Sequence, residues 1–97
     1  MDIYVILRRN GWRNADELRV AAERSALEGE KTPDEVRWIR SYVLEEGNGT
    51  LGTVCIYQAS SPEAIFAHAR RAALPADDVI PVGDTVIVRP DPDQVAA

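Results

Sequence analysis

The stretch that decides the fold is residues 36–59, VRWIRSYVLEEGNGTLGTVCIYQA. Both ends of this stretch are rich in β-branched and aromatic residues, which is typical of β-strands. The middle contains Glu46-Gly47-Asn48-Gly49-Thr50, and an Asn-Gly pair is typical of the two-residue loop of a β-hairpin. We therefore predict two antiparallel strands, 36–45 and 51–59, that turn at Asn48-Gly49.

One helix and one strand are predicted on either side of this hairpin. The predicted elements are a strand over 3–8, a helix from the cap Asn14 to about Glu28, a helix from Ser60 or Ser61 to about Ala73, and a last strand over 79–82 and 84–89. The order β-α-β-β-α-β is the ferredoxin-like pattern of α+β proteins, with a four-stranded antiparallel sheet. Right-handed crossovers place both helices on one face of that sheet.

The chain has 97 residues, which allows one domain, and we expect it to span residues 1–90. Residues 91–97 are predicted to form a flexible tail. A domain of this size buries a modest fraction of its surface, so a homodimer would enlarge the core.

Charge and composition narrow the classes of partner. The net charge is −5, which works against nucleic-acid binding, because that affinity comes mostly from neutralising phosphates. The longest apolar runs are far shorter than the ~20 residues that span a bilayer, so no membrane partner is expected. Cys55 is the single cysteine and no export signal is visible, so a cytoplasmic location is predicted.

The predicted hairpin has two unlike faces. If Asn48-Gly49 is a two-residue turn, paired residue numbers sum to 97. One face is then mostly aliphatic and is expected to pack under the helices. The opposite face gathers bulky polar side chains and is expected to stay uncovered by helices, as the floor of a ligand site or of a dimer interface. Its candidate ligand-binding residues are Trp38, Arg40, Tyr42, Cys55 and Tyr57.

His68 is the only histidine, and it borders the apolar stripe of the second predicted helix. Imidazole is a common metal ligand and titrates near neutral pH, so His68 is the candidate metal ligand. The alternative is a helix-boundary histidine with a structural role. A transition-metal site from one chain would be poor in ligands, because one His and one Cys are present.

Several segments resemble a bacterial family of small ferredoxin-like proteins of unknown function, one branch of which is described as nickel-binding. The resemblance covers roughly residues 2–89 and is carried by 38–43, 52–59, 61–65, 68–72 and 74–77. It implies a ferredoxin-like dimer and favours a bound metal, with nickel or another divalent cation as the candidate cofactor.

Three functions remain open from the sequence. The first is a homodimeric protein that binds a small ligand or a divalent metal. The second is a cofactor-free enzyme of the dimeric α/β-barrel kind, an oxygenase, cyclase or isomerase, in which Arg40 holds an anionic substrate and a tyrosine or His68 moves a proton. That reading predicts a cavity of a few hundred Å³ between two sheets. The third is an interaction protein without a small-molecule site.

Overall fold

The computed structural model describes residues 1–92, and its six elements form one four-stranded sheet with two helices. The elements are β1 (Asp2–Trp12), α1 (Ala15–Lys31), β2 (Val36–Glu45), β3 (Leu51–Ala59), α2 (Pro62–Ala72) and β4 (Asp78–Pro81). The strands lie in the order β2-β3-β1-β4, and every neighbouring pair is antiparallel. This confirms the ferredoxin-like α+β fold. None of the described helices is long and apolar enough to cross a membrane.

Both helices begin at the predicted caps. The Asn14 side chain accepts a hydrogen bond from the Glu17 amide, and the Ser61 hydroxyl accepts one from the Ala64 amide. Helix α1 continues to Lys31, past its predicted end near Glu28. Gly29 remains helical, and its carbonyl accepts a hydrogen bond from the Thr32 amide at the C-cap.

The last strand is shorter than predicted. It ends at Pro81, and residues 84–89 are not a strand. The amide of Val82 still donates to the carbonyl of Ile3 (2.9 Å). The chain then reaches the far edge of the sheet, where Asp91 accepts hydrogen bonds from Arg40 and Tyr42. We call residues 82–91 the strap. Of the predicted flexible tail, Asp91 is therefore held, and residues 93–97 lie outside the described part.

The hairpin turn differs from the prediction by one residue. The amide of Glu46 donates to the carbonyl of Thr50 (3.0 Å), so the loop contains Gly47, Asn48 and Gly49. Only Gly49 of these has a positive φ, of 89°. A three-residue loop with glycine in that conformation is another common hairpin connection. Paired residue numbers therefore sum to 96 near the turn, as in Tyr42 with Val54, and the predicted sum of 97 is wrong.

A bulge in β2 changes the register a second time. Trp38 pairs with Tyr57 and Arg40 pairs with Ile56, so Ile39 is an extra residue. Side chains alternate along a strand, so a shift of one residue moves them to the other face. Arg40 and Tyr42 therefore do not share a face with Tyr57, whereas Trp38 does.

The face that packs beneath the helices is the opposite of the predicted one. The core there is formed by Tyr4, Ile6, Val36, Cys55, Tyr57, Ala59 and Ile65. The prediction that the aliphatic side lies under the helices is wrong, and so is the placement of Trp38, Cys55 and Tyr57 on an uncovered face. The helices explain this, because their buried residues are mostly small: Ala21 and Ser25 in α1, and Ala69 and Ala72 among those of α2. Bulky side chains of the sheet fill the space between the sheet and these small helix residues.

The other side, which we call the open face, carries the aliphatic residues. It includes Ile3, Val5, Ile39, Ile56 and Ile80, together with Arg40 and Tyr42. Ile39 is 48% exposed and Ile80 is 46% exposed. A groove of about 790 Å³ runs between this face and the strap.

Gly52 is required by the close approach of β1 and β3. A Cβ atom at this position would lie 2.6 Å from the carbonyl oxygen of Arg8, whereas one at Gly47 would meet nothing within 4 Å. We expect Gly52→Ala to lower the free energy of unfolding by about 1–3 kcal/mol, because the strands must move apart. Urea denaturation measures this, with Gly47→Ala as the matched control expected within about 0.5 kcal/mol of the parent. Equal losses in both variants would contradict the close-contact explanation.

Candidate functional site

A cavity of about 100 Å³ lies between the sheet and α1. Its walls are largely apolar, with Trp12, Trp38 and Leu18 among them, and its polar lining residues are Arg8, Ser25, Ser41, Thr53, Cys55 and Tyr57. No carboxylate from the described chain lines it. An apolar cavity with a few convergent polar groups is the usual form of a small-molecule site.

Arg8 is a buried charged residue in this cavity. Its side chain is almost completely buried, at 1% exposure, and its Nε, Nη1 and Nη2 atoms have no hydrogen-bond partner within residues 1–92. Its Cζ atom lies 5.8 Å from the centre of the Tyr57 ring. A cation over an aromatic ring contributes about 0.5–2 kcal/mol, whereas removing a charge from water costs several kcal/mol. The ring therefore compensates only part of the cost of burying this charge.

The strand register places Arg8 in the cavity. Arg8 shares the helix-facing side of β1 with Tyr4 and Ile6, and it pairs with Thr53 of β3. The adjacent Arg9 points to solvent and forms an ion pair with Glu46 (2.9 Å). Arg9 thus has a carboxylate partner, whereas the neighbouring Arg8 has none among the described residues.

A chain of hydrogen bonds connects the cavity to His68. The Ser25 hydroxyl lies 3.0 Å from the Tyr57 hydroxyl and 3.1 Å from Nε2 of His68, which is 1% exposed. Burial raises the pKa of Tyr57, partly offset by its hydrogen bond with Ser25 and by the nearby charge of Arg8. Burial also lowers the pKa of His68, and the charges of Arg71 and Arg8 add to this effect. Both side chains are therefore neutral at pH 7.

Cys55 lies in a polar row on the floor of the cavity. Its thiol accepts a hydrogen bond from the Ser41 hydroxyl (3.0 Å) and donates one to Thr53 (3.3 Å). Cys55 is a free, buried cysteine. Its hydrogen-bonding capacity is satisfied within the protein, in contrast to that of Arg8.

The predicted ligand-binding residues fall into two groups. Trp38, Cys55 and Tyr57 line the cavity, and Trp38 stacks on Tyr57 with ring centres 6.2 Å apart. Arg40 and Tyr42 lie on the open face, where both contact Asp91. The structure therefore does not bring the five residues together, and their predicted single uncovered site is wrong. Whether any of them binds a ligand stays a prediction.

Arg8 was not among the ligand-binding residues predicted from the sequence. The alternation Tyr4, Ile6, Arg8 along β1 was the available signal. Ser25 and Thr53 were also missed as polar groups of the site. Neither carries a sequence signal, because a single Ser or Thr within a helix or strand belongs to no recognisable motif.

The donor set around His68 and the cavity does not fit a divalent metal ion. His68 already contacts Ser25 through Nε2, and residues 1–92 contain no cluster of three or more His, Cys, Asp or Glu side chains that could hold a metal. The buried guanidinium of Arg8 would also repel a cation in the cavity. The predicted role of His68 as a metal ligand thus has no supporting cluster of donors within residues 1–92.

Together, the fold and cavity define a small ferredoxin-like α+β protein with a largely apolar cavity beneath α1 that contains a buried arginine. The chain belongs to the SCO4226-like family, described as nickel responsive proteins, whose model matches residues 4–82. The crystal structure of SCO4226 from Streptomyces coelicolor A3(2) has a similar fold, with a TM-score of 0.67 at 19% sequence identity. The alignment covers 87% of this chain and 99% of that one. The search of curated proteins found no match.

The neutral state of buried His68 predicts a pH dependence of stability. Its pKa is lowered from 6.5 in the folded protein, so the unfolded chain binds the proton more tightly. Stability should therefore fall as the pH drops below about 6.5, by at most about 1.4 kcal/mol per pH unit. Urea denaturation of the parent and of His68→Gln, compared at a series of pH values between about 7 and 5, measures this.

The variant should show no such decline in that range. The pKa values of Glu17, Glu46 and Asp91 are also lowered, but from 4.5, 4.5 and 3.8, so their effect begins at lower pH. An equal decline in parent and variant would contradict the assignment to His68.

Proposed function

We propose that the protein is a binding module for a small anion, which enters the cavity beneath α1 and pairs with Arg8. The observation that carries the proposal is the buried guanidinium with no partner among the described residues. A buried charge of this kind is costly unless a counter-charge accompanies it. A bound anion supplies that counter-charge and accepts the free N–H groups.

The size and walls of the cavity support a ligand of few atoms. Its volume of about 100 Å³ is smaller than the roughly 150 Å³ of an apolar cavity that holds benzene. Trp12 and Trp38 both contribute to the walls, and they are the only tryptophans of the chain. Tryptophan fluorescence therefore reports directly on occupation of the site.

Replacing Arg8 tests the proposal. We expect the fluorescence of the parent protein to change saturably when sodium formate, acetate or nitrate replaces sodium chloride at constant ionic strength. Arg8→Met should abolish the change, whereas Arg37→Met should retain it, because Arg37 is exposed and its side chain donates to the carbonyl of Pro33 rather than lining the cavity.

The stability of the same variants provides an independent measurement. Without added anion, Arg8→Met should be at least as stable as the parent, because a side chain of similar length replaces an unpaired buried charge. An anion response that survives Arg8→Met, or the absence of any response in the parent to all three salts, would contradict the proposal.

We also propose that the protein is a homodimer joined through the open face, in a cytoplasmic setting that suits the free thiol of Cys55. The strap supports a second copy as the occupant. Its residues Val86, Ile87 and Val88 are 86%, 77% and 84% exposed, beside the exposed Ile39 and Ile80. A two-fold axis would let the strap of each copy cover the aliphatic face of the other, since such contacts use the same surface twice.

Analytical ultracentrifugation tests the dimer. The parent should sediment at twice its chain mass of 10.7 kDa. The double variant Val86→Lys/Val88→Lys should sediment as a monomer, although the added positive charge reduces the repulsion between two chains of net charge −5. Leu27→Lys is the matched control, because Leu27 is 62% exposed but lies on α1, away from the open face. A monomeric parent, or a double variant that remains dimeric, would contradict this interface.

A further inference from the structure

We propose that the anion held by Arg8 is a short-chain monocarboxylate, and that the Tyr57 hydroxyl, held in place by Ser25 and His68, donates a second hydrogen bond to it. This inference rests on the proposed anion-binding function. It adds the ligand class and a specificity-determining residue.

The direction of the hydrogen bonds follows from His68. Its Nδ1 atom is buried and has no partner within residues 1–92, while Nε2 contacts the Ser25 hydroxyl at 3.1 Å. A buried N–H group without an acceptor is rarer than an unsatisfied acceptor. The proton therefore lies on Nε2, which donates to the oxygen of Ser25.

The bond from His68 to Ser25 also fixes the direction of the hydrogen bond between Ser25 and Tyr57. Because its oxygen accepts from His68, its single proton is free to donate to the Tyr57 oxygen, 3.0 Å away. The Tyr57 proton then has no acceptor in this chain of hydrogen bonds. Tyr57 lines the cavity together with Arg8, so two unsatisfied donor side chains serve the same cavity.

Charge and shape select the carboxylate. Among the described lining residues Arg8 is the one charged side chain, so a doubly charged anion would leave an uncompensated negative charge. A carboxylate carries one charge and has two oxygens that match the planar guanidinium. The largely apolar walls, including Leu18 and Trp38, favour a ligand with a short alkyl chain over a fully polar ion such as nitrate.

Fluorescence titrations with propionate, butyrate, nitrate and sulfate test the ligand class. Propionate or butyrate should bind at least several-fold more tightly than nitrate, and sulfate should not bind. Tyr57→Phe should weaken carboxylate binding about 10- to 100-fold, the range for a lost hydrogen bond to a charged group. Tyr42→Phe is the matched control and should bind normally, because its hydroxyl contacts Asp91 on the open face.

The tautomer of His68 tests the proposed direction of the hydrogen bonds independently of ligand affinity. A purely structural role of Tyr57 would not require a particular tautomer. The ¹⁵N NMR spectrum of the imidazole at neutral pH should show a protonated Nε2. A protonated Nδ1, or unchanged carboxylate affinity in Tyr57→Phe, would overturn the inference. If no anion binds to the parent protein at all, the proposed function itself fails. If nitrate binds as well as propionate, the anion site stands and the carboxylate assignment fails.

Discussion

The buried guanidinium of Arg8 is the constraint on which the account of the site depends. Its charge lies beneath α1 with no carboxylate from the described chain beside it. The contact with the Tyr57 ring compensates only a part of the desolvation cost. A protein can retain such a buried charge when a ligand supplies the counter-charge. For this reason the cavity, rather than the open face, is the candidate site.

The cavity itself results from the pairing of small helix residues with bulky sheet residues. Ala21 and Ser25 of α1 face a sheet surface that carries Tyr57 and Trp38. The remaining space is bordered by polar groups, among them the Tyr57 hydroxyl, which contacts Ser25.

The element order was predictable because local signals agree with the final structure. The caps Asn14 and Ser61 and the strand bounds 36–45 and 51–59 all lie where the sequence indicates. The face on which each β2 side chain lies was not predictable, because it depends on two single-residue shifts. A three-residue loop instead of a two-residue one, and the bulge at Ile39, each reverse the side on which the β2 residues lie relative to β3. Neither has a strong signal in a single sequence.

The most direct test of the central claim is a high-resolution crystal structure of the parent protein grown in the presence of propionate. The account predicts carboxylate density within hydrogen-bond distance of the Arg8 guanidinium, at about 2.7–2.9 Å, with the alkyl chain toward Trp38 and Leu18. A guanidinium that turns out to solvent, or that pairs with a carboxylate of the protein's own chain, would contradict it.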